Sequence, residues 1–139
     1  MRVGFIGAGF ISKFQAIAMK QVRGLEVAGI LKRSQAKPLA AFCREQGLGE
    51  AVLYDSIGEM ANHVDVLAIY APNDVRVAIM EEIVAAVKSG AELKGLICEK
   101  PLGRNMRPLF GKLKNVITAA SRFWWERPRL RKMKLLISL

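Results

Sequence analysis

The sequence predicts an α/β fold: a doubly wound parallel sheet in a single domain over residues 1–105, followed by an atypical basic tail over residues 106–139. Three observations predict it. Short apolar runs with little polar alternation recur along the chain, as expected of strands buried on both faces. Longer helical stretches separate them, which is the order that builds a parallel sheet. The first apolar run ends in a glycine turn that opens directly into a helical stretch.

Taken in order, Val3–Ile6 reads as a short buried strand, and Gly7-Ala8-Gly9 turns the chain off it. Phe10–Val22 reads as a helix with Phe10, Phe14, Ala18 and Val22 on one face. Leu25–Leu31 is a second apolar strand. Ser34–Gln46 follows as a helix, with Pro38 tolerated in its first turn and Gly47 ending it. Ala51–Tyr54 is a brief third strand. Ser56-Ile57-Gly58-Glu59 matches a capping box that opens a short helix to about Asn62. Val64–Tyr70 is the most apolar strand, interrupted only by Asp65. Asn73 and Asp74 are placed to cap a long helix to about Ser89, closed by Gly90. Leu96–Cys98 is the fifth strand.

Hydrophobic residues make up 52% of the chain, enough for a packed core and too many for a disordered one. The net charge of +10 suggests nucleic acid until it is divided along the chain. Residues 1–104 carry 13 Lys and Arg against 11 Asp and Glu, whereas residues 105–139 carry 9 against 1. The basicity therefore belongs to the tail, and nucleic acid is not the expected partner. Cys43 and Cys98 lack metal-ligand spacing and read as reduced, buried thiols; no metal site is predicted. The chain enters a strand by Val3, which leaves no signal-peptide pattern, and no apolar run approaches ~18 residues. A cytoplasmic protein without a membrane span is expected.

The glycine turn has a chemical use. Gly7 permits a tight turn off the strand, and Gly9 lets the backbone approach a pyrophosphate at the positive end of the helix that Phe10 and Ile11 open. Ser12 replaces the third glycine of G-x-G-x-x-G but is small enough for close packing of helix on strand. The segment predicts a Rossmann-type nucleotide site, with a purely structural turn as the alternative. At the end of the second strand, where NAD-binding units commonly place an acid for the ribose 2′-hydroxyl, this chain has Lys32-Arg33-Ser34. An acid would repel a 2′-phosphate, whereas these three side chains can bind one. Charge-assisted hydrogen bonds contribute roughly 1.5–3 kcal/mol each, so one or two select NADP over NAD. NADP is the expected cofactor and NAD the alternative; a solvated basic loop is the bland reading.

Val3–Ser12, Tyr54-Asp55-Ser56, Tyr70-Ala71-Pro72-Asn73 and Glu99-Lys100-Pro101-Leu102-Gly103 follow one another at suitable spacing. In these segments the chain resembles the N-terminal half of the Gfo/Idh/MocA family, the glucose-fructose oxidoreductase and inositol dehydrogenase type, over roughly residues 1–105. The resemblance implies hydride transfer between a nicotinamide cofactor and a sugar or polyol hydroxyl. It implies that Lys100 is catalytic, beside the nicotinamide and the substrate hydroxyl, that Pro101 is suited to a fixed turn that aims it, and that Glu99 and Pro101 belong to the cofactor-binding set. It also implies that Tyr70, Pro72 and Asn73 lie along the cofactor. Two departures accompany it. Arg76 stands where the family usually has a histidine, and the single histidine, His63, reads as a surface residue.

Family members continue with a large α+β domain that forms the substrate pocket, and these 139 residues contain none of it. This chain alone is therefore not expected to be catalytically competent. Beyond about Met106 the sequence leaves the family pattern for a basic and aromatic run through Phe123-Trp124-Trp125 and Arg127–Lys132. A truncated or frame-disrupted gene is the favoured explanation. One alternative is a crossover helix over 109–125 with Leu135–Leu139 as a sixth strand. The other is a non-catalytic interaction protein whose basic tail binds nucleic acid or an anionic membrane.

Overall fold

In the computed structural model, which describes residues 1–100 and 134–137, six strands form one parallel sheet in the order β3-β2-β1-β4-β5-β6. The strands are β1 (Arg2–Ile6), β2 (Glu26–Leu31), β3 (Val52–Tyr54), β4 (Val66–Ile69), β5 (Gly95–Cys98) and β6 (Lys134–Ile137). Helices α1 (Phe10–Met19), α2 (Ala36–Glu45), α3 (Ile57–Ala61) and α4 (Arg76–Lys88) connect the first five. All five strand pairs are parallel. The register is closed by Ile6 opposite Ile69 and Ile69 opposite Cys98. The strand order reverses direction between β1 and β4, so their carboxyl ends open a crevice at that switch point.

The apolar strand sequences follow from burial on both sides. Val3 and Phe5 of β1, with Val66 and Ala68 of β4, pack with Ala16 of α1 and Leu39, Ala40 and Cys43 of α2. Ile6, Leu67 and Ile69 face the other way, onto Ile57 and Met60 of α3 and Met80 and Ile83 of α4. Successive residues thus alternate between two cores, and neither face needs polar positions. Cys43 and Cys98 are buried, unpaired thiols, and burial pushes Cys43 up to about 11. The expected capping box is present in its first half: the Ser56 hydroxyl accepts from the Glu59 N–H at 3.1 Å. Gly47 and Gly90 follow α2 and α4 at positive φ, as helix-ending glycines should.

Two expectations are corrected. The face of α1 chosen from the sequence points outward: Phe10 is 81% and Phe14 59% exposed, and Val22 lies exposed beyond the helix. The sheet instead receives Ser12 and Ala16, both fully buried. The Ser12 hydroxyl turns in to the Gly7 carbonyl, and Ala16 packs in one cluster with Val3 and Phe5, so small side chains occupy the inner side. The larger ones take the outer side, at the same four-residue spacing. The helix also stops at Met19, and the backbone winds on through Lys20, Gln21 and Val22 in bonds to the third residue back. Second, Asn73 and Asp74 do not cap α4. They lie in a turn that delays the helix to Arg76, with Val75 in the capping position and no side-chain cap.

Strand β6 pairs with β5 from Gly95 opposite Lys134 to Cys98 opposite Ile137, close to the sixth strand anticipated from 135. Pro101, the crossover helix over 109–125 and the basic and aromatic run lie outside the described residues. No helix among the described residues is long and apolar enough to cross a membrane.

Candidate dinucleotide site

A cavity of about 700 Å³ opens at the switch point. Its floor is the end of β1 with the glycine turn, and its walls are Tyr70-Ala71-Pro72 after β4 and Glu99-Lys100 after β5. Leu31 and Arg33 close it on the β2 side, and Val75, Arg76 and Ile79 of α4 on the other. Each of these positions follows directly on a strand end or opens a helix.

The turn is held by three features. Gly7 has φ +110°, and a Cβ there would lie 2.8 Å from the Tyr70 carbonyl carbon and the Ala71 nitrogen. Only glycine lets β1 and the β4 corner approach this closely. Ser12, in the place of a third glycine, is fully buried, and its hydroxyl donates to the Gly7 carbonyl at 2.9 Å. Gly9 behaves differently: a Cβ there would meet nothing within 4 Å. It occupies the capping position of α1 without a side-chain cap, so the first N–H groups of the helix face the cavity mouth uncapped. This is the arrangement a phosphate group fits: free backbone donors, a positive helix end and an open approach.

Of the residues picked from the sequence, Gly7, Gly9, Phe10, Ile11, Arg33, Tyr70, Pro72, Glu99 and Lys100 line this one cavity. Lys32, Ser34 and Asn73 do not. Lys32 makes an exposed ion pair with Asp55 at 2.8 Å, which raises its pKa through the hydrogen bond and then the charge of Asp55. The Arg33 guanidinium folds back to donate to the Lys32 carbonyl at 2.9 Å. His63 is exposed before β4 and stacks on Tyr54, 5.6 Å between ring centres, away from the cavity.

The opposite end of the cavity is the more polar. Tyr70 packs edge-on against Phe5 with ring centroids 5.1 Å apart. Burial, and secondarily the Glu99 charge, push its hydroxyl well above the usual tyrosine value, so it stays protonated. The Glu99 N–H continues the sheet to the Ile69 carbonyl at 3.2 Å, and a Glu99 carboxylate oxygen accepts from the Lys100 N–H at 3.1 Å. Arg76 is the feature whose part here the sequence reading missed. It is buried, and its guanidinium reaches the Ala71 and Glu99 carbonyls. Its signal in the sequence is its place where the family usually has a histidine, which marks the position but not the two carbonyls it reaches. Among the described residues no group of three or more His, Cys, Asp or Glu is placed to hold a metal ion.

Comparison with known proteins agrees with this geometry. Residues 1–122 match a family described as an oxidoreductase family with an NAD-binding Rossmann fold. The match runs past the end of the motif-based resemblance. No curated protein matches in sequence. Among solved structures, the chain is similar to apo scyllo-inositol dehydrogenase from Lactobacillus casei, with TM-score 0.69 and 16% identity over 99% of this chain and 36% of that one. An oxidoreductase from Agrobacterium radiobacter, in complex with NAD+, L-tartaric acid and magnesium, gives TM-score 0.70 and 19% identity over 99% of this chain and 34% of that one. UDP-N-acetylglucosamine 3-dehydrogenase from Acidithiobacillus ferrooxidans gives 0.65 and 21% over 86% and 36%. At these identities the structures share the fold, and this chain spans about a third of their length. The sequence match over most of the chain and the nucleotide-binding architecture lead to one assignment: the chain belongs to the Gfo/Idh/MocA oxidoreductase family and forms its NAD-binding Rossmann domain.

Proposed function

We propose that the cavity binds NADP in preference to NAD, with the pyrophosphate over Gly9 and the α1 N-terminus and the nicotinamide toward Tyr70, Pro72 and Lys100. The observation that carries this reading is the convergence of the glycine turn and the Glu99-Lys100 corner on one cavity at the switch point of the sheet. Arg33 is the residue to which this reading assigns a 2′-phosphate. It lines the cavity, and no carboxylate lies between Glu26 and Glu45. Lys32 supports the same choice less directly, since Asp55 already holds its ammonium. Ser34 and Asn73 would act from outside the cavity lining.

A bound nicotinamide supplies a hydride donor or acceptor. Lys100 would hold the substrate hydroxyl beside it and take or return the hydroxyl proton. The family context supports a sugar or polyol as that substrate, since the similar structures include an inositol dehydrogenase and a nucleotide-sugar dehydrogenase. Residues 1–122 match the cofactor-binding domain of such oxidoreductases, and dinucleotide binding is the activity assigned to them. The two buried, unpaired thiols fit a cytoplasmic setting.

Replacing Arg33 tests the cofactor choice. Arg33→Ala should weaken NADPH about tenfold and leave NADH within about twofold, because one charge-assisted bond to the 2′-phosphate is lost. Lys32→Ala should weaken NADPH less. Equal losses for NADPH and NADH in Arg33→Ala would refute the assignment of the 2′-phosphate to Arg33.

A further inference from the structure

We propose that Arg76 is a positioning residue that clasps the corner after β5 to the corner after β4, and so sets where Lys100 stands against the nicotinamide end of the cavity; this rests on reading the cavity as a dinucleotide site. The ladder between β4 and β5 closes at Ile69 opposite Cys98, followed by one further bond from the Glu99 N–H to the Ile69 carbonyl. Tyr70 is still held to β1 through its N–H on the Ile6 carbonyl, but among the described residues no ladder bond joins the Tyr70-Ala71-Pro72 corner to the Glu99-Lys100 corner. Both segments nevertheless line the same cavity and would have to keep a fixed distance for a lysine on one to face a ring held by the other.

Arg76 supplies the missing tie. As the first residue of α4 its side chain is directed back toward the helix N-terminus, where the two corners meet. Its Nε donates to the Ala71 carbonyl at 2.9 Å and its Nη1 donates to the Glu99 carbonyl. The residue is only 4% exposed and lines the cavity wall. A planar guanidinium can serve two carbonyls at once in a fixed geometry, whereas an ammonium is a point donor without that fork. Both acceptors are backbone atoms, and one of them immediately precedes Lys100. A shift in the clasp is therefore passed directly to the lysine.

The test uses the full 139-residue chain with Arg76→Met and Arg76→Lys. Ligands are NADPH, followed by nicotinamide fluorescence, and adenosine 2′,5′-bisphosphate, which carries the adenosine half alone, followed by calorimetry. Arg76→Met should weaken NADPH about tenfold or more while the adenosine fragment stays within about twofold, since only the far end of the site loses its geometry. Arg76→Lys keeps the charge but not the fork, and should recover only part of the NADPH loss. Amide exchange at Glu99 and Lys100 should quicken about tenfold in both variants, with β1 and β2 amides unchanged.

Equal losses for both ligands, full recovery with lysine, or unchanged exchange at Glu99 and Lys100 would each overturn the proposal. If the unmodified chain binds neither ligand, the dinucleotide reading falls. The exchange data then still decide whether Arg76 clasps the two corners.

Discussion

Gly7 and Gly9 are two residues apart in one turn, yet substituting them should have opposite consequences. A Cβ at Gly7 would sit 2.8 Å from backbone atoms of Tyr70 and Ala71, at a φ of +110° that side-chain-bearing residues rarely adopt. The dihedral costs about 1–3 kcal/mol. The overlap adds about 1–3 kcal/mol more, because backbone at a strand end cannot rotate aside as a side chain would. Gly7→Ala should therefore lose about 2–6 kcal/mol, a large share of the ~5–15 kcal/mol that stabilises a domain.

Gly9 has φ −84°, and its Cβ would meet no atom within 4 Å. Gly9→Val should fold with a change of about 1 kcal/mol or less, the usual range for a capping position. Its methyl groups would fill the approach to the uncapped N–H groups of α1. Losing two charge-assisted bonds of about 1.5 kcal/mol each weakens NADPH roughly a hundredfold. Urea denaturation followed by circular dichroism reads the first effect, and a fluorescence titration with NADPH reads the second. A Gly7→Ala chain with the unmodified midpoint, or a Gly9→Val chain that binds NADPH as before, would refute the reasoning.

The sidedness of α1 makes a second contrast. Ala16→Leu should cost about 1–3 kcal/mol by overpacking the sheet face, whereas Phe14→Ser on the exposed side should change stability by about 0.5 kcal/mol, both read by urea denaturation. Asp65 gives a pH signature. Burial opposes its ionisation, but the Arg2 N–H at 2.7 Å, the Lys94 ammonium at 2.5 Å and the N-terminal charge outweigh burial and hold it below the usual carboxylate value. A depressed folded value means that the contribution is complete above the unfolded pKa of about 3.9 and is lost as pH falls through the folded value. Asp65→Asn should therefore cost about 1 kcal/mol at pH 7, and the difference from the unmodified chain should close on acidification below about pH 4. A gap that stays constant across that titration would contradict the assignment.

Where the sequence was informative, the signal was local. Glycine at the end of an apolar run, a Ser-x-x-Glu box and uninterrupted Val-Leu-Ala-Ile strands each follow from short-range chemistry, and they recover the parallel sheet and the glycine end of the cavity. What stayed hidden depends on distances between elements remote in sequence. Phe10 and Phe14 share the four-residue spacing of Ser12 and Ala16, and spacing alone does not decide which pair turns inward. Lys32 looked like a free phosphate ligand until β3 brought Asp55 beside it. Arg76 acquires its partners only because β4 and β5 lie side by side although some thirty residues separate their sequences.

Titration of the intact 139-residue chain with NADPH and NADH, followed by nicotinamide fluorescence, bears most directly on the account. A cavity built on the glycine turn, Arg33 and the Lys100 corner predicts saturable binding of both, tighter for NADPH. Absence of binding by either dinucleotide up to about 1 mM, the weakest interaction such a site could be assigned, would contradict it.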